Sequence, residues 1–141
     1  YCPPGDFFID PVRPVPRALI THGHSDHARP GHANVLATPQ TLDIMGIRYG
    51  ENFAGASQAI DFGESLDIKG VRVSFHPAGH VLGSAQIAVE KDGLRIVASG
   101  DYKRRPDATA QEFEPVECDV FITEATFALP VFRHPDDKAE I

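Results

Sequence analysis

The sequence predicts an α/β fold, sheet-rich and built as one domain. Its 141 residues suffice for a single core, and 42% apolar with 23% charged residues is a globular composition. Short β-branched runs between turn signals dominate, with one clear helical spacing. Acids and histidines collect where the predicted strands end, which is where layered α/β folds commonly build their sites.

The elements follow in order. FFID (7–10) and RALIT (17–21) read as strands separated by the proline-rich PVRPVP, and NVLATP as a third strand ending at Pro39. PQTLDIMGI offers helical spacing, with Leu42, Met45 and Ile47 as expected core contacts and Gly50 near its end. SQAIDF, SLDI and VRVSFHP alternate as strands, with DFGE and KG as turns. AQIAVEKDGLRIVASGD reads as a hairpin through Lys91-Asp92-Gly93, where Asp-Gly favours a tight turn. CDVFITEAT is nearly continuous in apolar residues and is expected to be a strand buried on both faces. HPDDKAEI resembles a helix start capped by Asp136.

No run reaches membrane-span length, and YCPPGDFFID has no basic-then-apolar signal pattern. Cys2 and Cys118 form no CxxC pair and read as free thiols, which fits a cytoplasmic protein. The formal charge of −7 argues against a strongly basic nucleic-acid-binding module. Carboxylates bound to a divalent cation would not project that field, so the charge does not exclude a nucleic-acid substrate.

THGHSDHARPGH (21–32) holds four of the seven histidines. In an extended strand end, residues i and i+2 point to one side, so His22 and His24 can converge on one ion. The chain must then turn, presenting Asp26 and His27 to a neighbouring position. Imidazole and carboxylate suit zinc and similar divalent ions, and mixed sets with an open position are the catalytic kind. The competing interpretation is a polar turn whose histidines bond to backbone carbonyls. His32 and His76 read as structural or supporting candidates, and His134 carries little functional signal.

HGHSDH resembles the signature of the metallo-β-lactamase superfamily. The resemblance continues in order through Asp10 ending an earlier strand, AGHVLGSA with His80, and SGDY with Asp101. AGHVLGSA together with ITEATF resembles the β-CASP nuclease branch. The opening YCPPGDFFIDPVRPVPRALITHGHSDHARPGH is similar to the ligase-associated DNA exonuclease group, also described as mRNA 3′-end-processing exonuclease-like. The resemblance implies the N-terminal part of an αββα sandwich over residues 1–141, with the β-CASP domain, later histidine motifs and a final histidine ligand expected beyond Ile141.

It also implies two divalent metal ions, zinc first, with manganese or iron as alternatives. His22, His24 and His80 would hold one ion, Asp26 and His27 the other, and Asp101 would bridge them. Asp10 would orient the histidine loop from behind. Glu124 matches the branch's first acidic position, expected to orient a histidine at the leaving group; as chemistry alone it reads equally well as a polar strand end. Asp26 and Glu124 are the expected catalytic carboxylates.

A divalent ion lowers the pKa of bound water from about 15.7 to about 7. With such a metal-bound hydroxide, the resemblance implies hydrolysis of DNA or RNA phosphodiesters, as an exonuclease in DNA repair or RNA processing. The isolated 141-residue chain is expected to be inactive. Expected partners are the nucleic-acid substrate and, functionally, a DNA ligase or helicase, with no membrane. No GxSxG, P-loop or GxGxxG points to another route. The alternatives are a hydrolase of small thioester or lactam substrates and a non-catalytic nucleic-acid-binding module. AGHVLGSA and ITEATF argue against the first, the intact ligand set against the second.

Overall fold

The computed structural model describes residues 1–126. His134 and the capped helix start expected around Asp136 lie outside them. The elements run β1 (Phe8–Ile9), β2 (Ala18–Leu19), β3 (His32–Ala37), α1 (Pro39–Tyr49), β4 (Ala54–Ala59), β5 (Ser65–Ile68), β6 (Val71–Pro77), β7 (Ala85–Lys91), β8 (Leu94–Ala98) and β9 (Val120–Ile122). Strands β1-β2-β3-β4 form a parallel sheet, and β5-β6-β7-β8-β9 a second sheet that is antiparallel except for the parallel β8–β9 pair. An α/β, sheet-rich architecture is what the composition and patterning led us to expect.

Phe7, just before β1, and Leu19 and Leu36 from the first sheet pack with Val73, Phe75 and Ile87 from the second, forming the core between the sheets. Each such side chain stabilises the fold by about 1.5–3 kcal/mol when fully buried. On the other face of the first sheet, Ala18, Ile20, Val35 and Ala37 pack with Met45 of α1. Helix, sheet and sheet are therefore stacked in that order.

Helix α1 starts where Thr38 accepts the Thr41 N–H and Pro39 takes the first turn, and stops at Gly50 with φ 85°. Thr41 and Met45, four apart, share the buried face. Ile47 was expected in the core but is 87% exposed, because two residues of helix rotate it to the opposite side from Met45. The hairpin is as expected: Lys91 pairs with Leu94, and Asp92 and Gly93 take positive φ of 52° and 83°.

Strand β9 corrects another expectation. Among the described residues it pairs with β8 alone, and Val120, Phe121 and Ile122 are 44%, 42% and 59% exposed. An apolar run records a preference for burial, whereas its place at the edge of the described sheet is set by the topology. The strand expected at SQAIDF begins earlier, at Ala54, and ends at Ala59. Cys2 and Cys118 are both free. Among the described residues no helix is long and apolar enough to cross a membrane.

Candidate metal centre

Strand direction explains why the chemistry gathers at one edge. β1 and β2 run parallel, so Asp10 and the 22–27 loop leave the first sheet side by side. In the second sheet β6, β8 and β9 share one direction, because β7 is antiparallel to both β6 and β8 and β9 is parallel to β8. His80, Asp101 and Glu124 therefore follow strand ends at a common edge. The Ala85 N–H donates to the Thr21 carbonyl at 2.8 Å and ties the two sheet edges together.

His22, His24, His80 and Asp101 each offer one ligand atom, and these atoms lie within 4.8 Å of one another. His22 Nε2 is 3.0 Å from His24 Nδ1 and 3.8 Å from Asp101 Oδ2. His80 Nε2 is 3.3 Å from His24 Nδ1 and 3.7 Å from Asp101 Oδ2. Atoms sharing an ion at about 2.0–2.2 Å must lie within about 4.4 Å of each other, so these four separations fit a single divalent ion. Crowded imidazole nitrogens without a proton or cation between them would repel, so the donor chemistry fits as well.

Asp101 uses its other oxygen elsewhere. Oδ1 lies 3.5 Å from His27 Nε2, which in turn lies 3.7 Å from Asp26 Oδ2. Asp26, His27 and Asp101 thus form a second, more open donor set, with the Asp26 side chain 73% exposed. Behind it, His27 Nδ1 is 2.8 Å from Asp10 Oδ2. Asp10 also accepts the Thr21 N–H at 2.8 Å and the Thr21 hydroxyl at 2.6 Å.

Electrostatics separate the histidines. Burial, reinforced by the neighbouring histidines, pushes His22 down to about 3, leaving it neutral at ordinary pH. Burial also lowers His80, against the pull of Asp101. His27 is raised, chiefly by its hydrogen bond to Asp10. The backbone hydrogen bond within its own residue, and then the nearby histidines, hold Asp26 below the usual carboxylate range.

The structure brings six of the expected residues together and places Asp10 behind them. Glu124 stands outside the four-atom cluster. Burial pushes its carboxyl up, but hydrogen bonds from Thr126 and the Tyr102 backbone, with the charge of His80, outweigh that and leave it lowered. His32 is buried at the start of β3 and its Nδ1 accepts the Val15 N–H at 3.3 Å, a structural role. His76 bridges Ser74 and Glu114, each at 3.0 Å, away from the cluster. Thr21 was not foreseen, although a hydroxyl directly before a histidine pair was the available signal.

Endoribonuclease YSH1 of Mycosarcoma maydis is 34% identical over 168 aligned positions, covering 93% of this chain and 19% of that protein. This chain is its homologue. A probable DNA ligase of Opitutus terrae is 28% identical over 137 residues, covering 96% of this chain and 13% of that protein. The homologous segment spans less than a fifth of the curated relatives it matches. A solved protein of unknown function from Enterococcus faecalis shares the fold, with a TM-score of 0.50 at 12% identity over 62% of this chain and 25% of that one. No protein-family model matches the chain.

Proposed function

We propose that the metallo-β-lactamase-fold site hydrolyses phosphodiester bonds of RNA or DNA with two divalent ions, zinc first, manganese or iron otherwise. The observation that carries this reading is the split of Asp101, with Oδ2 toward His22 and His80 and Oδ1 toward His27. A carboxylate facing two donor sets is suited to bridge two ions. His22, His24 and His80 would hold one ion, and Asp26 and His27 the other. When bound, such ions acidify coordinated water and offset charge on the phosphodiester oxygens.

The chain's own groups supply the rest. Neutral His22 keeps a lone pair available, and half-buried Asp10 orients His27. Exposed Asp26 stands at the open side, where a substrate or water can reach it. Glu124, its carboxyl lowered in part by the charge of His80, would orient a histidine at the leaving group. Similarity to an endoribonuclease supports a nucleic-acid substrate, and similarity to a probable DNA ligase supports a functional link to ligation. Free Cys2 and Cys118 support a cytoplasmic setting. We assign residues 1–141 to the N-terminal part of the lactamase-like domain, with the β-CASP portion beyond it.

The test is hydrolysis of labelled RNA and DNA by the full-length protein that carries these residues. Activity should require added metal, stop with chelator, and fall to background in Asp26→Ala with the fold retained. Cleavage that survives chelation, or hydrolysis of thioesters or lactams alone, would overturn the reading.

A further inference from the structure

We infer that Thr21 is a positioning residue that relays the Asp10 carboxylate to His22 and so fixes which His22 nitrogen faces the metal centre. The inference rests on the metal-site reading above and adds a residue and a mechanism to it.

A threonine hydroxyl has one hydrogen to donate. Thr21 Oγ1 lies 2.6 Å from Asp10 Oδ2 and 3.0 Å from His22 Nδ1. Asp10 also takes the Thr21 backbone N–H at 2.8 Å, so its carboxylate acts here as an acceptor. The Thr21 proton therefore points to Asp10, and toward His22 the oxygen can only accept. His22 must carry its proton on Nδ1. A neutral imidazole then has its lone pair on Nε2, the atom that lies 3.0 Å from His24 Nδ1 and 3.8 Å from Asp101 Oδ2.

Packing keeps the relay from rearranging. Thr21 is 1% exposed, so bulk water cannot replace its hydroxyl. Gly100, at φ 57°, packs so closely that a Cβ there would come within 2.7 Å of Thr21 Cβ and Oγ1. The Thr21 carbonyl is held by the Ala85 N–H at 2.8 Å. Asp10 thereby orients one histidine of each donor set: His27 directly, at 2.8 Å, and His22 through Thr21.

The experiment combines zinc calorimetry and histidine ¹⁵N NMR on the full chain. Thr21→Val keeps the shape and removes the hydroxyl, and should weaken zinc binding by about 10–100-fold, while Thr21→Ser should stay within about threefold of wild type. In the metal-free wild type, His22 should be protonated at Nδ1. Protonation at Nε2, or wild-type zinc affinity in a folded Thr21→Val, would overturn the relay. Should Thr21→Val fail to fold, the wild-type tautomer and the serine variant decide it. Neither readout needs turnover, so missing nuclease activity would count against the proposed function and not against the relay.

Discussion

Asp10 binds His27 across 17 residues of sequence, Oδ2 to Nδ1 at 2.8 Å, from a backbone held at φ 45°. Left-handed backbone costs a non-glycine residue conformational energy, and aspartate tolerates it better than most. The conformation aims one carboxylate at both Thr21 and His27. Asp10→Asn keeps that backbone tolerance and removes the charge. It should lower zinc affinity by about 10–100-fold in calorimetric titration, with little change in circular dichroism. Unchanged affinity would show that His27 is oriented by something else.

Removing ligands should separate the two donor sets. His24→Ala should weaken only the first ion, Asp26→Ala only the second, and Asp101→Ala both. Elemental analysis of metal per chain after dialysis reads this directly. Equal losses in all three variants would contradict a bridging Asp101.

Acid should empty the two sets at different pH values. His27 has a raised pKa, so protons compete with the second ion above 6.5. His22, lowered to about 3, keeps its lone pair far below that. Zinc titrations between about pH 8 and 5 should show the second ion lost first. In the metal-free protein the signs differ by group. The raised His27 adds stability that is full below its unfolded pKa and lost as pH rises through the folded value. The depressed His22 adds stability present above 6.5 and lost as pH falls toward about 3. Urea denaturation across that range checks both signs.

Gly79 takes φ 73°, and a Cβ there would collide with the Lys103 carbonyl. Gly79→Ala should cost about 1–3 kcal/mol in chemical denaturation and displace His80, the next residue, weakening zinc binding as well. A neutral effect on both would mean that the two loops separate freely.

Helix orientation has its own check. Met45→Ala should cost about 2–5 kcal/mol, because the side chain is fully buried against the first sheet. Ile47→Ala should stay within about 0.5 kcal/mol, its side chain being largely in solvent. The reverse ranking would place the other helix face on the sheet.

The fold class, the Asp-Gly hairpin and the HxHxDH donor set were legible in sequence because each depends on local rules: side-chain period, turn chemistry and ligand spacing. His80, Asp101 and Glu124 could be nominated as polar residues ending strands, but their distances to His22 could not. Those follow from β6, β8 and β9 sharing one direction, and strand order is a property of the assembled sheet. Ile47 and β9 went the other way for the same reason, since apolar residues do not carry the address of what will cover them. Thr21 is the sharpest case. Its one proton acquires meaning only when Asp10 and His22 meet around it, so the sequence by itself determined the donor chemistry while tertiary packing decided which nitrogen His22 presents.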